Sequence, residues 1–326
     1  MKYFCTYFDI NYMPQGMTLY ESLCRLELDF NLFIVCLDNK TYEVLKDIDF
    51  PQITPVKISD IESFDLEFAK CKENRSLIEY YFTLSPVMPL YLFHSFPEID
   101  ILAYMDADLL FFSSPQPLYD ELGDNSILII EHRFPNKIKW RQKYGRFNVQ
   151  FQLYRRDKVG LECLEFWRKQ CIEWCYDKLD GERFADQKYL DKWPELFQGV
   201  VVSQIDAAGV APWNWYNYNI RLDDGTLKIN EAKLIFFHFQ GFKILNRFIL
   251  VHNLGHYGAK MPRKLLNSLY LRYLHEIVKM KNKINTLCDF SNLSVRTKHN
   301  RAGASYIRTI ASGIFHRAIM FMNEKL

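Results

Sequence analysis

The sequence predicts an α/β fold built on a largely parallel sheet, and three observations carry that prediction. Short, β-prone apolar runs alternate with stretches of helical periodicity through the first hundred residues, as successive βα units require. Aspartates follow three of those runs, at Asp9, Asp38 and Asp106. The 326 residues are 49% apolar and 25% charged, which sustains the core of one large or two smaller domains and excludes a disordered or fibrous chain.

The elements follow in order. Tyr3 to Phe8 is aromatic and β-prone and ends at Asp9-Ile-Asn-Tyr-Met-Pro14, after which Met17, Tyr20, Leu23 and Cys24 recur at helical spacing. Leu32 to Leu37 reads as a buried strand, Tyr42 to Asp47 as a short helix, and Ile53 to Ile58 as a third strand, with Ser59 capping the next helix. A helical stretch begins at Arg75, and the strand Ile101 to Met105 closes the regular alternation. Parallel sheets bind ligands at the carboxyl ends of their strands, so the three aspartates line the expected ligand edge. Beyond residue 110 the pattern loosens. It gives a strand Ser126 to Ile130, a basic loop His132 to Tyr144, a strand Phe147 to Tyr154, an amphipathic helix Leu161 to Leu179, a short helix from Asp186 and an apolar strand Leu234 to Phe239. From Pro262 the pattern is mainly helical, so the expected division is a domain over 1–250 and an extension over 251–326.

With 41 basic and 39 acidic side chains the net charge is +2, which argues against a broad phosphate-backbone footprint and against nucleic acid as a partner. The eight cysteines are scattered, without a disulfide framework or paired zinc knuckles, and read as reduced, buried thiols. Asp9 interrupts the amino-terminal apolar stretch and no run approaches a membrane span, so the expected location is cytoplasmic. Between Arg296 and Leu326 lie six Lys or Arg and one Glu among Ile, Phe and Met. This segment reads either as a helix resting on an anionic membrane surface or as a packed helix with a solvated basic side.

The strongest chemical signal is Tyr104-Met-Asp106-Ala-Asp108-Leu-Leu-Phe-Phe112, two carboxylates at i and i+2 inside an apolar run. In extended chain they point the same way and repel, losing hydration at a cost of several kcal/mol per unpaired ion. A divalent cation, Mn²⁺ or Mg²⁺, answers that cost, its remaining positions going to water and a diphosphate. The bland alternative makes Asp106 a turn residue and Asp108 a cap. No glycine follows Asp108 as an EF-hand requires, and neither a Walker loop nor a Gly-x-Gly-x-x-Gly run occurs. Nucleotide phosphates would therefore be held by a metal and basic side chains.

The motif set resembles GT-A nucleotide-sugar glycosyltransferases, in particular the glycogenin-like and lipopolysaccharide galactosyltransferase-like branch. The segments that carry the resemblance are Thr6 to Tyr12, Lys72 to Thr83, Tyr104 to Pro115, Phe147-Asn148, Ala185-Asp186-Gln187, Ala211-Pro-Trp213-Asn214 and Phe237-His238-Phe-Gln-Gly241, covering roughly residues 1 to 245. The resemblance implies a GT-A fold, Rossmann-like, with a helical carboxyl-terminal extension. It also implies transfer of a sugar, with retention, from a nucleotide-diphosphate sugar such as a UDP-sugar to a glycan, lipid-linked or protein acceptor. Carried over by position, Asp106, Asp108 and His238 would hold the metal. Thr6, Asp9 and Tyr12 would meet base and ribose, and Arg75, Gly241 and Lys243 would lie at the donor phosphates. Asp186, Gln187 and Asn148 would hold the transferred sugar. Each has a bland counterpart: Asp9 as a turn residue, Arg75 as a partner of Glu79, Asp186 as a helix cap, Lys243 as a solvated charge, His238 as a core histidine. Two departures stand out, since Gln150 replaces a glycine common in the family and no Lys-Pro-Trp follows Gly241. They leave open an inactive nucleotide-sugar-binding protein and, more remotely, a nucleotidyltransferase.

Overall fold

Residues 1–26, 29–48, 50–246, 249–287 and 319–321 are described in this computed structural model. The first half alternates strand and helix as the periodicity predicts: β1 (Lys2–Phe8), α1 (Met13–Cys24), β2 (Phe30–Cys36), α2 (Asn39–Ile48), β3 (Ile53–Lys57), α3 (Ile58–Phe64), α4 (Leu66–Lys70), α5 (Leu77–Ser95) and β4 (Ile101–Met105). Then come β5 (Leu109–Phe111), α6 (Gln116–Leu122), β6 (Ile127–Glu131), β7 (Phe147–Arg155), α7 (Lys158–Glu173), α8 (Trp193–Leu196) and β8 (Val200–Val202). The rest of the chain adds the meander β9 (Ile220–Asp223), β10 (Thr226–Ile229) and β11 (Ala232–Lys233), then β12 (Phe236–His238), β13 (Lys243–Asn246), β14 (Ile249–Val251), α9 (Arg263–Leu266), α10 (Arg272–Leu287) and β15 (Ile319–Phe321).

The chain forms two compact units. One comprises residues 1–7, 27–106 and 114–205, the other residues 8–26, 107–113 and 206–326. The first holds a seven-stranded sheet in the order β3-β2-β1-β4-β7-β6-β8. β1 runs parallel to β4, β2 to β3 and β6 to β8, whereas β7 runs antiparallel to both neighbours. The largely parallel expectation is met with β7 alone reversed: being antiparallel to both β4 and β6, it leaves β6 and β8 running with β4. Cys5, Val35, Leu102, Tyr104, Leu84, Trp167 and Trp193 belong to one buried cluster. Local chemistry sets the helix starts. Ser76 and Glu79 form a reciprocal capping box at α5, and the Asp157 carboxylate accepts from the Gly160 N–H at 2.7 Å to open α7. A bidentate Arg168–Asp65 pair, 2.5 and 2.7 Å, fixes α7 to α4.

The second unit packs α1 between β5 and α10. Met17, Leu19 and Leu23 of α1 and Tyr273, Ile277 and Ile284 of α10 are buried, and Phe239 stacks on Tyr273 at 3.9 Å. Four sequence expectations shift. α3 begins at Ile58 without a side-chain cap, so Ser59 lies inside the helix. The helix expected over Leu161 to Leu179 spans Lys158 to Glu173, because Asp157 caps it early and Trp174 is extended. The basic loop carries a 3₁₀ segment, Asn136–Tyr144. The strand expected over Leu234 to Phe239 shortens to β12, since Leu234 and Ile235 turn their amides to Leu227 and Ala207. Helical pattern beyond Pro262 is realised in α9 and α10. Of the basic segment 296–326, three residues form β15 against β14 instead of helix, as Ile-Met-Phe favours, and the remainder lies outside the described residues. Among the described residues no helix is long and apolar enough to cross a membrane.

Candidate metal and donor site

Asp106 follows the last residue of β4, where its backbone N–H donates to the Gln150 carbonyl of β7 at 2.9 Å. Two residues later Asp108 precedes β5, the short strand that pairs antiparallel with β12 in the register Phe236↔Phe111, Phe237↔Leu110, His238↔Leu109. That ladder brings His238, 130 positions downstream, beside Asp108, and the Phe239 N–H donates to the Asp108 carbonyl at 3.0 Å. The His238 Nε2 stands 3.1 Å from Asp108 Oδ1. Trp213 meets the His238 ring edge-on at 5.4 Å. The Tyr12 hydroxyl donates to Asp108 Oδ2 at 3.1 Å. One ligand atom from each of Asp106, Asp108 and His238 lies within 4.8 Å of the others. Two hard carboxylates and an imidazole converging at that spacing fit a divalent cation. Burial pushes the Asp108 carboxyl up, but the His238 imidazole and the Tyr12 hydroxyl outweigh it and hold the carboxyl below its ordinary range.

Asp186 sits at the amino end of a 3₁₀ turn, Gln187–Lys192, yet its side chain does not cap that turn. It accepts instead from the Ser85 hydroxyl of α5 at 2.7 Å, while its carbonyl accepts from Trp167 Nε1 at 2.8 Å. Burial, opposed by the Ser85 bond and reinforced by the charge of Asp106, pushes this carboxyl up to about 7. Tyr7 and Tyr104 belong to the same buried group. Both hydroxyls are raised, first by burial, both lie within the field of Asp106 and Asp186, and both hydrogen-bond to Ser85. The Tyr104 hydroxyl also reaches Asp106 Oδ1 at 3.3 Å. A polar chain thus runs from Asp106 through Tyr104 and Ser85 to Asp186 inside an otherwise apolar core.

The other sequence-derived candidates divide. Asn148, on β7, is buried with both ends of its amide engaged: Nδ2 meets His132 Nε2 at 2.9 Å, and Oδ1 accepts from the Gln150 N–H at 2.7 Å. Gln187 donates from Nε2 to the Tyr144 carbonyl at 2.9 Å. Asp9 acts as a turn residue, accepting from the Tyr12 N–H at 2.9 Å and from Asn11. Thr6 is fully buried, its hydroxyl without a hydrogen-bond partner. Asp38, at the same sheet edge, caps α2 by accepting from the Thr41 N–H and hydroxyl at 2.7 and 3.0 Å. Arg75 is held over the Tyr176 ring at 3.9 Å and donates to the Tyr176 hydroxyl and to the Ile172 carbonyl. It is occupied by the end of α7 and not by the carboxylates. Gly241 is left-handed, φ 72°, and an added Cβ would fall 2.4 Å from the Asn253 amide, so its glycine is required by packing and backbone alike. Lys243 is half-buried on β13. Ser85 and His132 were missed by sequence reasoning. A serine mid-helix and a histidine at a strand end carry no signal until the neighbouring elements are in place.

No family model matches the chain. The Bacillus subtilis protein YfnD, described as uncharacterized, is 33% identical over 277 residues, covering 84% of this chain and 86% of YfnD. The chain belongs to the YfnD family. YfnF of the same organism, likewise described as uncharacterized, is 30% identical over 251 residues, covering 74% of this chain and 82% of YfnF. Among solved structures, the galactosyltransferase LgtC in complex with donor and acceptor sugar analogues superposes with a TM-score of 0.55 at 15% identity, covering 85% of this chain and 95% of LgtC. An active-site variant of LgtC gives 0.51 at 14% identity, with the same coverage. The fold of this YfnD-family chain is therefore the GT-A glycosyltransferase fold.

Proposed function

We propose that this YfnD-family chain is a metal-dependent glycosyltransferase that moves a sugar, with retention, from a UDP-sugar to a glycan, glycolipid or protein acceptor, its catalytic domain spanning residues 1–250. The observation that carries the reading is the convergence of Asp106, Asp108 and His238 at the end of β4 in a GT-A fold. Those three residues would hold a divalent ion such as Mn²⁺, which when bound would supply positive charge to offset that developing on the departing nucleoside diphosphate. The low-lying carboxyl of Asp108 keeps that ligand ionised at neutral pH. Tyr12, Asp9 and Thr6 lie on the strand and loop that meet base and ribose, with Gly241 and Lys243 at the phosphate end.

Asp186 keeps one carboxylate oxygen on Ser85 and offers the other to a sugar hydroxyl. Gln187, its amide nitrogen committed to Tyr144, offers Oε1 toward the anomeric carbon. Asn148, oriented by His132, completes the sugar side. In a retaining transfer the acceptor oxygen bonds the anomeric carbon on the face from which the phosphate leaves, and the acceptor proton passes to the departing phosphate oxygen.

The test is hydrolysis of UDP-glucose and UDP-galactose in the absence of acceptor, followed by release of UDP. Turnover is expected with Mn²⁺, is lost on chelation and falls at least a thousandfold in Asp108→Ala. Release of pyrophosphate instead would mark a nucleotidyltransferase, and metal-dependent UDP binding without any turnover would mark an inactive relative.

A further inference from the structure

We infer that the 3₁₀ segment Asn136–Tyr144 is an acceptor-binding surface that selects an acidic sugar, a reading that rests on the glycosyltransferase assignment and names its acceptor class. The segment and its flank, residues 136–146, carry Lys137, Lys139, Arg141, Lys143 and Arg146 and no acidic residue, in a chain whose total charge is only +2. Arg146 is neutralised by Glu131; Lys139 and Lys143 are exposed and form no ion pair among the described residues. Among them stands Trp140, 56% exposed and the one exposed tryptophan among the described residues. A scattered surface aromatic needs no explanation. This one carries cations over its ring, the Arg141 guanidinium 4.9 Å and the Lys143 ammonium 5.1 Å from the centroid. With 56% of the side chain still exposed, the ring offers apolar surface for the C–H face of a pyranose beside partners for its carboxylate or phosphate.

The segment is also fixed to the site. Ile138 is its one buried residue, the Gly145 N–H closes its end on the Gln142 carbonyl at 2.9 Å, and the Arg146 N–H donates to Asp191 at 2.7 Å. The Tyr144 carbonyl receives the Gln187 amide at 2.9 Å, and Gly145 lies beside Gln187, an added Cβ meeting its Cγ at an ordinary contact of 3.4 Å. Four residues of 3₁₀ helix span about 8 Å, so Trp140 stands about that far along the segment from Tyr144, whose carbonyl holds the Gln187 amide. That clamp is what favours an acceptor over a lipid surface as the occupant.

The experiment titrates tetrasaccharides into the full chain in the presence of UDP and Mn²⁺, reading Trp140 emission as the difference between the wild type and Trp140→Phe. The probes are hyaluronan and polygalacturonate fragments, with cellotetraose and maltotetraose as neutral counterparts. The acidic fragments are expected to alter Trp140 emission and to bind at least tenfold more tightly than the neutral ones, with that preference reduced about tenfold in Lys139→Gln/Lys143→Gln. Equal affinity for acidic and neutral fragments, binding of none, or an emission change with phosphatidylglycerol vesicles but not with the fragments would each overturn the inference. UDP is first titrated, in Mn²⁺, into a separate portion of the same wild-type preparation. If UDP binds and the acidic preference is missing, this inference alone fails; if UDP does not bind, the glycosyltransferase reading fails first.

Discussion

Asp108 and Asp186 are carboxylates of the same intrinsic strength in opposite circumstances, and the difference teaches what each is built to do. Asp108 faces an imidazole and a phenolic hydroxyl, and its carboxyl is held down despite burial. Asp186 is buried with the Ser85 hydroxyl, backbone N–H groups of its own turn and the negative charge of Asp106 in reach, and burial wins: its carboxyl rises to about 7. The first environment suits a ligand that must be ionised before a cation arrives. The second suits a group that waits, poorly solvated, for the hydroxyls of a sugar. Environment, not residue type, divides the two tasks.

The contrast can be broken most sharply at Asp186. Its carboxyl is protonated in the folded, metal-free chain up to about pH 7 but ionises near 3.8 once unfolded. The folded state therefore binds the extra proton between those values, and stability falls as pH rises through them. The interval corresponds to a penalty on the order of 4 kcal/mol, fully present by pH 8. Asp186→Asn is expected to remove it. In chelator the variant should be more stable than wild type by several kcal/mol at pH 8, with the gain vanishing toward pH 4, while donor hydrolysis in Mn²⁺ falls at least a hundredfold. Denaturant melts at pH 4, 6 and 8 measure the first effect. A variant no more stable at pH 8 would mean that Asp186 is not strained.

Ser85→Ala sharpens the same comparison with a smaller change. It withdraws the one hydroxyl that favours the ionised form of Asp186, a bond to a charged group worth about 1.5–3 kcal/mol. About a tenfold loss of hydrolysis is expected at pH 7, with partial recovery as pH is raised, and Ser85→Thr should restore most of it. A uniform loss at every pH would assign Ser85 to packing alone.

The smallest effect belongs to the Tyr12 hydroxyl beside Asp108. Tyr12→Phe removes one hydrogen bond from Asp108, and at about 1 kcal/mol it should weaken Mn²⁺ about fivefold, read as a shift in the Mn²⁺ concentration giving half-maximal hydrolysis. An unchanged midpoint would assign the Tyr12 hydroxyl to the loop rather than to the ligand.

How legible these features were depends on how local their causes are. The first four central strands and α1, α2 and α5 were readable because each announces itself within a dozen residues by periodicity and punctuation. So was Asp106-Ala-Asp108, since two carboxylates inside an apolar run conflict with burial in any fold. His238 became readable only through the family resemblance, because its partner is fixed by the β5–β12 register and no local pattern encodes that pairing. Ser85 and His132 depend on which helix or strand lies opposite, whereas the cations over Trp140 are its own sequence neighbours, Arg141 and Lys143. The motif marked Arg75 as a donor contact but could not show its partners, the Tyr176 ring and the Ile172 carbonyl, which lie about a hundred positions away. Gly241 looked like a phosphate cradle, and Asn253 supplies a sufficient reason for the glycine on its own.

The central claim, that Asp106, Asp108 and His238 form a metal site for a nucleotide diphosphate, is tested most directly by calorimetric titration of UDP into the chain, with GDP as comparison, in Mn²⁺ and then in excess chelator. The account predicts UDP binding that requires Mn²⁺, exceeds that of GDP, and is lost in a folded Asp106→Ala/Asp108→Ala variant. Absence of binding by either nucleotide to the folded wild type, or UDP binding that survives both chelation and the double substitution, would contradict it.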